Sequence, residues 1–136
     1  KEGAKRAIES ALKDARLNFS KVNYINAHGT GTILNDKIES LAINDVFYGL
    51  SDCPSVSSTK SLHGHLIGGA GAIELLACLM AVNQNVIPPT INFEEKDPFC
   101  DLNLVINNAQ EKKVDYALSN AFAFGGANSV VIINKF

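Results

Sequence analysis

The chain has 136 residues, 46% of them hydrophobic, which is enough to bury the core of one domain. Its formal charge of −2, from 12 Lys and Arg against 14 Asp and Glu, includes no basic run, which excludes an electrostatic footprint for nucleic acid and a polybasic membrane patch. The three cysteines, Cys53, Cys78 and Cys100, have neither CxxC spacing nor an even count, so they read as reduced thiols of a cytoplasmic protein rather than a disulfide framework.

From about residue 2 to residue 17, Ala4, Ile8, Ala11, Leu12 and Ala15 recur at helical spacing, with Lys5, Arg6, Glu9, Lys13 and Asp14 elsewhere on the wheel. This predicts a surface helix. Its mixed charge is unlike a signal or transit peptide, and the chain is expected to begin inside a longer protein, so removal of an upstream segment would allow an organelle such as a plastid. A strand over residues 22–27 leads into His28-Gly29-Thr30-Gly31-Thr32. A helix follows, capped by Asn35 or Asp36 with Glu39 in capping-box spacing, and runs to about Tyr48 before Gly49 and Pro54 close it.

Residues 56–82 form the central stretch: a short strand, a turn carrying Lys60, His63 and His65, and a long apolar run. Gly64, Gly68, Gly69 and Gly71 allow close backbone approach at the junction. Ile73, Leu75, Leu76, Cys78, Leu79, Met80 and Val82 cover nearly every face of the run, predicting a helix buried on all sides. Glu74 is the one charge within it, and a carboxylate there needs a partner. The nearest cation in sequence is Lys60, which predicts a Lys60–Glu74 ion pair behind a His65 that points into a cleft. The run is close to the length of a membrane span, but Glu74 and the Gly/Ala cluster argue for a core helix instead.

Pro88 and Pro89 require an extended segment over residues 86–92. A loop is expected from residue 93 to 101, a short strand at 102–106, and stronger strands at 116–119 and 129–134. The alternation of helices and strands predicts an α/β layered fold.

Two histidines leaving separate strands, one beside a lysine, suit acyl-transfer and carbon–carbon bond chemistry, because imidazole N–H groups can stabilise a developing enolate oxygen or move protons. Alone, each residue reads as structural: a histidine in a glycine-rich turn is more often a turn residue, and a lysine after a strand is usually solvated. No third ligand stands at a metal-motif spacing, so no metal site is expected.

In order and spacing, HGTGTxxxDxxE at residues 28–39, SSTKSxxGHxxGxxGxxE at 57–74, PPTIN at 88–92, CDLNLV at 100–105 and FAFGGAN at 122–128 resemble the C-terminal half of β-ketoacyl synthases, the 3-oxoacyl-[acyl-carrier-protein] synthases. The resemblance covers essentially the whole chain, residues 1–136. It implies a thiolase-like layered fold whose C-terminal half has a mixed sheet packed against helices. It also implies that His28 and His65 are catalytic, that Lys60 and Glu74 are the paired charges supporting them, and that Thr30 and Thr32 hold the phosphopantetheine arm. Phe124 matches the gating phenylalanine, and Phe122 lines the same site. Glu39 and Asn128 match loop-supporting positions. Ala121, Ala123 and Ala127 depart from the commonest pattern, and His63, where many members have threonine, reads as a turn residue.

The implied reaction is decarboxylative condensation of malonyl-carrier protein with an enzyme-bound acyl group in fatty-acid biosynthesis. It needs no cofactor of its own, since the phosphopantetheine arm arrives on the acyl carrier protein. The expected partners are acyl carrier protein and the N-terminal half of the same enzyme, with the complete protein a homodimer and neither nucleic acid nor membrane involved. That N-terminal half carries the family's nucleophilic cysteine, and none of the three cysteines here replaces it, so the chain alone is expected to be inactive. The rival readings are a polyketide ketosynthase domain and a non-catalytic, chain-length-factor-like partner.

Overall fold

The computed structural model describes residues 1–135, except for the side chain of Phe124. A four-stranded mixed sheet has the order β2-β1-β5-β6. Its strands are β1 (Tyr24–Asn26), β2 (Ser55–Ser57), β5 (Tyr116–Phe122) and β6 (Asn128–Asn134). β1 pairs in parallel with β2 and β5, and β5 pairs antiparallel with β6.

Strand alternation assigns each helix to a layer. Ile25, Val56 and Leu118 point to one face, where they join Ile8 and Leu12 of α1 (Glu2–Asp14) and Ile43 of α2 (Ile33–Val46) in one buried cluster. Tyr24 and Ala117 point to the other face and pack on Cys78, Ala81 and Val82 of α4 (Ala70–Gln84). The sheet is therefore sandwiched between helices. A one-turn helix, α3 (Lys60–His63), connects β2 towards α4, and a small separate ladder pairs β3 (Val86–Ile87) with β4 (Gln110–Glu111).

Several boundaries differ from the sequence expectation. α1 stops at Asp14, because Arg16 turns to a left-handed φ of 50°. α2 begins earlier than expected. Its cap is Thr32, whose hydroxyl accepts the Asn35 N–H at 3.3 Å, rather than Asn35 or Asp36. Residues 102–106 form single bridges, Leu104 to Val56 and Ile106 to Thr90, instead of a strand. β5 continues three residues beyond the expected end, because the Asn120-Ala121-Phe122 segment keeps its pairing with β6.

The largest correction concerns α4. Ala70, Glu74, Cys78, Ala81 and Val82 form one buried face, but Leu76, Leu79 and Met80 are 50%, 48% and 50% exposed. The helix is buried on one side in this chain, not on all. By length and composition alone, Ile67–Gln84 could cross a membrane, yet here Glu74 is paired within its buried face.

The one-sided burial sets an expectation for stability. Leu79→Gln on the open face is expected to change unfolding free energy by no more than about 0.5 kcal/mol, whereas Ile87→Ala in the core costs ~2–5 kcal/mol. Equal losses in denaturant melts of the two variants would contradict the assignment of faces.

Candidate active site

Because β2, β1 and β5 run parallel, their C-terminal ends leave the sheet at one edge. Aligned there are Ser57, Asn26 and Ser119, so His28, the Lys60–His65 turn and Phe122 are delivered to the same place from three separate stretches of chain. Asn26 fastens two of the exits together. Its Nδ2 donates to Thr59 Oγ1 at 3.0 Å while its Oδ1 accepts the Thr59 N–H at 3.3 Å, which fixes the residue before Lys60.

Lys60 and Glu74 form the ion pair that the lone buried charge required, with side chains 5% and 1% exposed. Lys60 Nζ also lies 3.4 Å from His28 Nδ1. An ammonium can only donate, so His28 Nδ1 accepts and its proton sits on Nε2. Burial, the Lys60 cation and then His65 hold the His28 imidazole down, to about 4, so it is neutral at pH 7.

His65 shows the same tautomer by a different route. Its Nδ1 accepts the Ile67 N–H at 3.1 Å, which again leaves the proton on Nε2. That contact depends on an unusual backbone, since Ile67 is a β-branched residue at φ 48°. The two rings meet edge to face with centroids 5.6 Å apart, and Phe122 stands 6.0 Å from His28. His63, by contrast, is spent locally: its ring nitrogens contact Gly64 O and Thr59 Oγ1.

The His28 loop is held from behind. Glu39, 2% exposed, accepts the N–H groups of His28 at 2.8 Å and Gly29 at 2.9 Å, together with the side-chain amides of Asn120 at 3.0 Å and Asn35 at 3.3 Å. Burial pushes its carboxyl above the usual range against the pull of these four donors. Gly29 is required here: its φ is +40°, and a Cβ would lie 2.6 Å from the Ser58 Cβ.

A cleft of about 430 Å³ opens beside His65, with Ala27 and Gly29, the neighbours of His28, also on its wall. Lys60, His65 and Thr30 line it, with Ser61, Phe93 and Leu104. Thr30 Oγ1 lies 3.2 Å from Thr32 Oγ1, but Thr32 also caps α2, so its hydroxyl has a structural duty that the sequence reading did not assign. The side chain of Phe124 lies outside the described residues. Among the described residues, no three His, Cys, Asp or Glu side chains are grouped to hold a metal ion. Of the cysteines, Cys78 is fully buried with its thiol pushed up to about 12, which leaves it unreactive. Asn26, Thr59 and Asn120 were missed by the sequence reading. A signal for Asn26 existed, since it follows Tyr24 and Ile25 in a short strand that is otherwise apolar.

Neutral His28 sets a pH dependence. Its folded value lies below the unfolded value of about 6.5, so its contribution to stability is present above that pH and is lost as pH falls through about 4. Imidazole NMR of histidine-labelled protein should show His28 titrating near 4, and a midpoint at 6.5 or higher would contradict this environment.

Comparison with known proteins bears on the family and the fold. Residues 1–94 match the family described as "Beta-ketoacyl synthase, C-terminal domain". The chain is 52% identical over 134 residues to Nodulation protein E of Rhizobium sp. (strain N33), covering 98% of the chain and 33% of that protein. It is 48% identical over 134 residues to 3-oxoacyl-[acyl-carrier-protein] synthase 2 of Synechocystis sp., covering 98% of the chain and 32% of that protein. Among solved structures, it superposes with a TM-score of 0.94, at 37% identity, on a type II PKS ketosynthase (AntDE) in complex with its acyl-carrier protein (AntF), covering 98% of the chain and 33% of that one. The chain thus spans about a third of the length of the curated relatives it matches. On the match over residues 1–94 and the shared layered fold, the chain belongs to the β-ketoacyl synthase family.

Proposed function

We propose that this chain is the malonyl-handling part of a complete 3-oxoacyl-[acyl-carrier-protein] synthase, an acyltransferase that elongates an enzyme-bound acyl group. The observation that carries the reading is the matched tautomer of the two histidines: both Nδ1 atoms accept, leaving both Nε2–H groups as donors, with the rings 5.6 Å apart and His65 on the cleft wall. A malonyl thioester in the cleft loses carbon dioxide by breaking the bond between C2 and its carboxylate. The electron pair moves onto C2 and the thioester carbonyl, and the resulting enolate oxygen takes hydrogen bonds from His28 Nε2 and His65 Nε2. Enolate C2 then attacks the acyl thioester carbonyl and releases a cysteine thiolate, supplied by the N-terminal half of the enzyme.

Burial, and after it the Lys60 cation, keeps His28 from taking a proton in the ground state, which preserves it as a neutral donor. Thr30, on the cleft wall, is placed to receive the phosphopantetheine arm. Acyl carrier protein is the partner in this reading, as it is for the ketosynthase of the AntDE:AntF complex. The complete enzyme is taken to be a homodimer working in the cytoplasm, with no resident cofactor.

A specialised role is the second reading, favoured by the 52% identity to Nodulation protein E. A non-catalytic, chain-length-factor-like role fits less well, because a scaffold has no use for a buried lysine aimed at a neutral histidine.

The test is decarboxylation of malonyl-carrier protein by this chain alone and with a separately produced N-terminal half. Activity is expected only in the mixture, with His28→Ala and His65→Ala each losing roughly a hundredfold or more. A folded but inactive complex would contradict the proposal and favour the non-catalytic partner.

A further inference from the structure

Asn120 occupies a position where the sheet calls for an apolar residue. It is fully buried, and its alternation along β5 aligns it with Leu118, on the face that packs against α1 and α2. Instead of filling a core, its Nδ2 donates to Glu39 Oε1 at 3.0 Å, and that same oxygen accepts the His28 N–H at 2.8 Å. The amide orientation is settled by chemistry, because only the nitrogen end can face a carboxylate. Asn120 Oδ1 is thereby left in the interior without a hydrogen-bond partner among the described residues, a cost that the bond to Glu39 must offset.

The geometry points to Asn120 as a positioning residue for His28: through Glu39 it ties the histidine backbone to β5 and so fixes where His28 Nε2 points. The inference rests on the reading of His28 as the enolate donor. Asn120 supplies the one side-chain donor to Glu39 that comes from the sheet, whereas Asn35 lies on α2 with Glu39 itself and moves with it. Without the sheet donor, α2 can shift relative to β1, and the loop at His28 and Gly29 shifts with the carboxylate. The buried Glu39 carboxyl, already raised, also loses a bond that favours its ionised form, and a protonated carboxyl is a weaker acceptor for the two N–H groups.

The experiment uses the complete enzyme that carries this chain, as wild type, Asn120→Ala and Asn120→Ser. It reads kcat and KM for decarboxylation of a malonyl thioester, and the His28 titration by NMR. The expected result is a kcat lower by roughly tenfold or more with KM changed by less than about twofold, because misplacement of one donor weakens the transition state more than binding. The His28 midpoint should move up from about 4 as its contact with Lys60 loosens. An unchanged kcat and unchanged His28 midpoint, with only a lower melting temperature, would overturn the proposal and leave Asn120 a packing residue. If wild type lacks decarboxylation, or His28→Ala retains it, the functional reading fails. The His28 midpoint then decides positioning alone, supporting it if moved in the Asn120 variants and overturning it if not. Asn120→Ser keeps a polar group in the same space and is read in the same way should Asn120→Ala not fold.

Discussion

A lysine and a glutamate held out of water, Lys60 and Glu74, are the constraint on which the rest of the site depends. Each charge alone would be intolerable in the layer between sheet and helix, and together they remain costly enough that hydrophobic replacements would serve stability as well or better. What the pair supplies is position and field. Glu74, on the buried face of α4, holds an ammonium at the end of β2, and that ammonium faces the Nδ1 of His28 from the end of β1. A helix, two strand exits and the His28 ring are thus fixed by one salt bridge.

The fold makes this possible by bringing parallel strands to a common edge. Residues far apart in the chain, at positions 28, 60–65 and 122, need no long loop to meet, because the sheet register has already placed Asn26, Ser57 and Ser119 side by side. The two histidines then share one tautomer by unrelated means, a lysine facing Nδ1 of His28 and a strained backbone N–H facing Nδ1 of His65. Both solutions leave the proton on Nε2. Burial of one ring and exposure of the other fit a site with a rear wall in this chain and an open front.

Much of this was legible from residues alone. A single carboxylate in an apolar run demands a cation, and Lys60 was the nearest candidate in sequence. The histidines after short strands marked the edge where chemistry would gather. The start of α2 was not legible, because Thr32, Asn35 and Asp36 all suit a cap, and only the backbone shows that Thr32 takes the role. The exposed side of α4 could not be read either, since apolar composition reports what a helix can pack against and not whether that surface is covered within this chain. Asn26 escaped because a polar residue in a strand looks like a solvent-facing position until the opposing elements are known, and Asn120 because the strand was expected to end at residue 119. Glu39 was assigned to support of the loops, but its grip on His28 and Gly29 lay in a turn back across the start of α2 that no spacing rule specifies.

The measurement that most directly tests the central role of the ion pair is a double-mutant cycle with Lys60→Met and Glu74→Leu in the complete enzyme, reading stability and the His28 titration together. The account predicts that each single variant costs ~3–5 kcal/mol by stranding a buried charge, that the double variant recovers most of this loss, and that His28 in the double variant titrates above its value of about 4 because the neighbouring cation is gone. Additive losses across the cycle, with the His28 midpoint unmoved, would contradict it.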